Sequence, residues 1–182
     1  LKNLFNEKYN NIVQEKYDGS HLQFVGKVPD NLIELRTHQV NAVWRGVTNN
    51  FVLYDHAVGS GKTFTGIARA MERKRLGLSN KPTIVVPNHM VEQFAADVYR
   101  LYPSAKVLAA GKKDFEKKNR KRLFAKIATG DYDIIVVPHS SFEFIKLSPE
   151  TEVRYMEQEL DSIMSAIREA KASKGDKRHT IK

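Results

Sequence analysis

Phe51-Val52-Leu53-Tyr54-Asp55-His56-Ala57-Val58-Gly59-Ser60-Gly61-Lys62-Thr63 is the stretch on which the fold turns. Its first four residues are apolar without alternation, the pattern of a short strand covered on both faces. Phe64, Ile67, Ala68 and Met71 then recur at helical spacing, so the glycine-rich segment falls between an expected strand and an expected helix. Such a loop suits an anion. Backbone N–H groups converge on a phosphate only where side chains do not obstruct them, and Gly59 and Gly61 allow both the tight turn and the close approach. The helix expected from Lys62 adds its positive N-terminal end. Lys62 is expected to reach the β- and γ-phosphates of a nucleotide and the Thr63 hydroxyl to ligate Mg²⁺, so these two are the catalytic candidates. Ala57, Val58, Gly59, Ser60, Gly61 and Phe64 complete the expected ATP cradle. The strict pattern has Gly where this chain has His56. The plain alternative is a glycine-rich helix-entry turn that binds nothing.

Outward from the loop the same rhythm continues. Thr83-Ile84-Val85-Val86 and Ile134-Ile135-Val136-Val137 are continuously apolar, and Val107-Leu108-Ala109 is a weaker run. Helical stripes separate them: Val91, Phe94, Ala95, Val98 and Tyr102, then Phe115, Leu123, Phe124 and Ile127. Strand alternating with helix predicts an α/β fold, three layers deep, around a mostly parallel sheet. Upstream, Val40, Val43, Trp44 and Val47 mark a helix starting near Thr37, and Leu1 to Val13 carry helical spacing too. Residues 1–30 are therefore expected to form an N-terminal helical arm and 31–147 the lobe itself. Residues 148–182 are expected to be a long amphipathic helix, with Val153, Met156, Leu160, Ile163 and Ile167 on one stripe, followed by a basic tail.

The 182 residues suffice for one substantial core. No apolar run approaches the ~20 residues of a membrane span. The absence of Cys excludes a disulfide framework and fits a reducing cytoplasm. Net charge is +9, and Lys112 to Lys126 holds eight Lys or Arg against Asp114 and Glu116. That favours a polyanion partner, DNA first, with Lys112, Lys113, Lys117 and Arg120 as candidate phosphate contacts; a solvated helix face is the plainer alternative.

Leu35-Arg36-Thr37-His38-Gln39 precedes the loop by about twenty residues. Here the chain resembles the helicase superfamily-two ATPases, the Swi/Snf-like branch in particular, whose RecA-like first lobe carries such an element. The resemblance implies that Gln39 reads the adenine edge, with Arg36 near the nucleotide. Thr83-Ile84-Val85-Val86-Pro87-Asn88-His89 looks like the family's motif Ia, and Asp133-Ile134-Ile135-Val136-Val137-Pro138-His139-Ser140-Ser141 looks like motif Ib. By resemblance these loops track a DNA strand through Pro87, Asn88, His139, Ser140 and Ser141. Asn and Ser could equally be plain helix caps. The Tyr17-Asp18-Gly19-Ser20 turn, Lys74 to Pro82 and Ile127 to Asp133 look like bacterial and mobile-element proteins that join an adenine methyltransferase to a helicase-type ATPase. Further parent domains are thus expected partners.

The family's Walker B pair, usually Asp-Glu, is not found in this sequence. The chain is therefore expected to be the ATP-binding lobe of a DNA-dependent helicase or translocase, inactive alone because the acid pair and second lobe are missing. Two other readings stand beside it: a small-molecule kinase, and a non-catalytic nucleic-acid-binding module with a vestigial loop.

Overall fold

The computed structural model describes residues 15–142, 144 and 148–176, with side chains up to residue 169. The helix expected over Leu1 to Val13 lies outside the described residues. Residues 15–30 of the expected helical arm, and 31–36 after them, are turns and irregular chain rather than helix. They act as a strap. Leu22 and Phe24 pack on the core, and the Val28 N–H donates to Leu101 O at 2.9 Å. The Lys27 ammonium is nearly buried and donates to Val28 O, Ile33 O and the Asp30 carboxylate at 2.7, 2.6 and 2.8 Å. All three of its hydrogens thus have acceptors, which makes its burial tolerable.

Helices α1 (Thr37–Thr48), α2 (Lys62–Arg75), α3 (Val91–Leu101) and α4 (Lys117–Thr129) alternate with strands β1 (Thr83–Val86), β2 (Val107–Ala109) and β3 (Ile134–Pro138). The strands form a parallel sheet in the order β1-β3-β2. The four-residue turn α5 (His139–Phe142) follows β3 directly. Every residue of β3 is buried. Its alternate side chains enter two different cores, as the two-residue period of a strand requires. Ile134 and Val136 join Val43, Ile67, Ala68, Val98 and Leu101 from α1, α2 and α3. Ile135 and Val137 join Phe115 and Leu123 from the α4 side. Helices therefore cover both faces, the layering expected of continuously apolar strands.

The strand expected at Phe51–Tyr54 is not one. Phe51 is 95% exposed and Leu53 85%, and the segment has no place in the sheet. Exposure alternates from Phe51 to His56, so only Val52, Tyr54 and His56 turn partly inward. Apolarity supplies the reason to be buried; a strand also needs a hydrogen-bonded neighbour. In the order β1-β3-β2 this segment pairs with none of the three strands.

Polar ties hold the helices in place. Arg69 and Arg73 on α2 donate to the last carbonyls of α1, with Arg69 Nε 2.8 Å from Gly46 O and Arg73 3.3 Å from Gly46 O and Val47 O. Cations there satisfy orphan carbonyls and complement the negative end of the helix. Lys74, next to Arg73 in the last turn of α2, donates to Asp131, Tyr132 O and Asp133 at 3.0, 2.7 and 2.8 Å, and Asp133 in turn accepts from the Lys106 N–H at 2.8 Å. This network pins the entry of β3.

Contacts divide the chain into two units, residues 1–142 and 143–182. The second contains α6 (Pro149–Asp176), a single helix of 28 residues.

Candidate functional site

The loop before α2 is shaped by its glycines. Gly59 has φ +82° and Gly61 φ +83°, both in the left-handed region. A Cβ on Gly61 would lie 2.4 Å from the Gln39 side-chain nitrogen, so that position excludes larger residues on steric as well as conformational grounds. Gly61 is also the N-cap of α2, and no side chain caps the helix. The Ser60 hydroxyl, though buried, makes no hydrogen bond. The first-turn N–H groups of α2, at Lys62, Thr63 and Phe64, thus lack a side-chain acceptor and face the loop.

Lys62 folds back over this loop and donates to His56 O at 2.6 Å and Ala57 O at 3.1 Å. Its ammonium is exposed and held only by neutral carbonyls. Phosphate oxygens are stronger acceptors than these, so an arriving phosphate can take the ammonium over. Val58 is 99% exposed, leaving only its backbone to serve the loop.

Helix α1 grips the loop from the side. Gln39, 4% exposed, donates from Nε2 to Gly61 O at 3.0 Å and accepts the Arg36 N–H on Oε1 at 3.0 Å. The expectation for Gln39 was an adenine contact; in the structure both ends of its amide serve the protein. One N–H and one lone pair remain. His38, which the sequence reading passed over, donates from Nε2 to Ser60 O at 3.0 Å. His38 and Gln39 therefore hold two successive loop carbonyls, each 22 residues downstream of itself. Arg36 is exposed beside them. The His56 ring packs edge-on to His38, with centroids 5.7 Å apart, and lies 6.0 Å from Tyr54. The Tyr54 hydroxyl donates to Ala42 O at 2.8 Å, which anchors the chain entering the loop to α1.

A second group of candidates collects at the C-terminal edge of the parallel sheet. Because the strands run the same way, the segments following β1, β2 and β3 emerge together. Pro87, Asn88 and His89 follow β1, His139 and Ser140 follow β3, and Lys112 and Lys113 follow β2; all are exposed. The Ser140 hydroxyl donates to Asn88 Oδ1 at 2.8 Å, joining the two sequence elements into one surface. Ser141 is only 2% exposed and leaves the list of surface contacts: the turn of α5 points it inward. Arg120 is also altered. It is half-buried and donates to Phe115 O at 3.1 Å, bracing the 3₁₀ turn Lys112–Phe115 against α4. Lys117, Lys121 and Arg122 remain exposed on α4, and exposed Lys118 pairs with Glu116 at 3.4 Å.

Among the described residues no group of three or more His, Asp or Glu could hold a metal ion, and no helix is long and apolar enough to cross a membrane. An α/β domain with a two-glycine loop at a helix start and a polar, basic sheet edge is the class that fold and geometry define. The chain belongs to a family described as a probable helicase domain, whose model matches residues 44–182. That match begins within α1, after His38 and Gln39. No curated protein matches the chain.

Proposed function

We propose that this chain is the ATP-binding, RecA-like lobe of a DNA-dependent helicase or translocase of superfamily two. The observation that carries the reading is the loop: two left-handed glycines, uncapped first-turn amides, and a lysine resting on weak acceptors at one point. The amides of Gly59 to Thr63 would bind the phosphates of ATP, Lys62 would neutralise their charge, and Thr63 would supply a hydroxyl to Mg²⁺. Bound Mg²⁺ would offset charge on the terminal phosphates. Arg36 and the free valences of Gln39 have the chemistry to meet a base.

The sheet edge supports nucleic acid as the second ligand. Asn88, His89, His139 and Ser140 can hydrogen-bond a phosphate backbone without reading sequence. The first turn of α4 holds exposed Lys117 and Lys118 and no acid. Cations at a helix N-terminus oppose its dipole, so an anionic partner explains their placement better than helix stability does. DNA rather than RNA, the Swi/Snf-like branch, and a methyltransferase among the parent's domains are the finer parts of this proposal. Hydrolysis would need an acid to position water, and the loops after β1 and β3 begin with prolines or lack acids.

Nucleotide titration tests the reading. The chain should bind Mg-ATP, and Lys62→Ala should abolish that binding while leaving the circular dichroism spectrum unchanged. Equal affinity in both proteins would leave only a nucleic-acid-binding module with an idle loop.

A further inference from the structure

Helix α6 carries an apolar seam with strict 3-4-3-4 spacing: Val153, Met156, Leu160, Ile163 and Ile167. Alternating steps of three and four are the spacing of a coiled-coil seam, and exposed Met164 flanks it on the same face. All five residues are exposed, from 48% at Ile167 to 60% at Ile163. Burying such residues is favourable, so the seam calls for a partner.

The charges of this segment say which partner. Residues 150–161 hold five acids against one base, a net of −4, whereas residues 162–173, the twelve that follow, hold Arg168 and Lys171 against Glu169, a net of +1. A parallel copy would set acid against acid along the seam. An antiparallel copy instead sets each acidic half against a weakly basic one, with Glu152 level with Lys171 and Arg154 level with Glu169.

We infer that α6 is a self-association element, pairing with a second copy of this chain as an antiparallel two-stranded coiled coil. The two-fold axis crosses the seam between Leu160 and Ile163. Leu160 then packs on Ile163 of the partner subunit, and Met156 on Ile167 of the partner subunit. The contact is isologous, so it closes at two copies. It belongs to a different unit of the chain from the loop and the sheet edge, and its test does not depend on what either of them binds.

The sequence contains no Cys, so introduced thiols report the geometry without background. Met156→Cys and Ile167→Cys are made singly in the full chain, then oxidised alone and as an equimolar mixture. In the antiparallel pair, the two copies of residue 156 lie eleven residues apart along the axis, about 16 Å. That exceeds the ~7 Å Cα separation a disulfide can span. Each variant alone should therefore stay uncrosslinked, and the mixture should give a covalent heterodimer. The unaltered chain should sediment as a dimer at high micromolar concentration, with dissociation on dilution or on Leu160→Lys. A monomer throughout, including one whose seam amides are protected from exchange by its own first unit, overturns the inference. So does efficient crosslinking of either variant with itself, which would mean a parallel pair.

Discussion

Ile134-Ile135-Val136-Val137 and Phe51-Val52-Leu53-Tyr54 look alike in sequence, four apolar residues in succession followed by a turn. In the structure they are opposites. The first is the central strand, paired on both sides and buried throughout, its alternate residues feeding two cores. The second lies outside the sheet with Phe51 and Leu53 almost wholly exposed. Apolarity says that a segment gains from burial; pairing with a neighbouring strand decides whether it gets it. The difference also separates two kinds of support. The β3 end of the molecule rests on packing, whereas the loop that follows Tyr54 rests on a few hydrogen bonds from α1.

The largest effect should come from truncating the two runs in parallel. Ile134→Ala should destabilise the fold by about 2–5 kcal/mol in urea titration, as buried isoleucines do. Leu53→Ala should stay within about 0.5 kcal/mol, the range of exposed sites. Equal losses would mean that the Phe51–Tyr54 run is packed after all.

A middling effect is expected from the clamp on the loop. Gln39→Ala removes the hydrogen bond to Gly61 O and opens the space beneath that glycine. A buried hydrogen bond of this kind contributes about 1 kcal/mol. If Gln39 serves chiefly to hold the loop, affinity for ATP and GTP should fall by similar factors, about fivefold. A loss confined to ATP would instead make it a base reader, as the family resemblance implies.

The smallest effect concerns the network beneath β3. Burial works against the Lys74 ammonium, but the hydrogen bonds and charges of Asp133 and Asp131 outweigh it and raise the Lys74 pKa. Burial likewise pushes the Asp133 pKa up, and Lys74 and the Lys106 N–H bring it below the usual carboxylate range. Asp131 is lowered chiefly by its hydrogen bond to Lys74. A lowered carboxylate pKa stabilises the fold above the unfolded value, near pH 4, and that stability is lost as pH falls through the folded value. A raised lysine pKa stabilises below about pH 10 and fades as pH climbs through the folded value. The network should thus contribute fully from about pH 4 to 10. Lys74→Met should flatten the acid limb of stability against pH while changing the neutral plateau modestly; an unaltered acid limb would remove the network from the account.

Much of this was legible from sequence because it depends on local period and local turns. β1, β2 and β3 follow their apolar runs, α1 to α4 follow their stripes, and Gly59 and Gly61 take the left-handed conformations that a phosphate loop needs. What escaped depends on pairs far apart in the chain. Nothing near Gln39 announces that Gly61 O will occupy its amide, and nothing near Arg69 or Arg73 announces the carbonyls ending α1. Ser141 looked like its neighbour Ser140, but a single turn of helix sends one outward and the other into the core. Arg120 read as one more surface cation until the carbonyl of Phe115 gave it internal work. His38 could have been found by its place beside Gln39, since two adjacent residues on one turn can hold two adjacent loop carbonyls.

The most direct measurement of the central claim is an amide chemical-shift titration of the ¹⁵N-labelled chain with Mg²⁺ and a non-hydrolysable ATP analogue. The amides of Gly59, Ser60, Gly61, Lys62 and Thr63 should shift most, saturably and together, with Gln39 following through its bond to Gly61 and the β2 and α6 amides still. Shifts scattered over the basic surface, with those five amides unmoved at saturating nucleotide, would contradict a phosphate site at this loop.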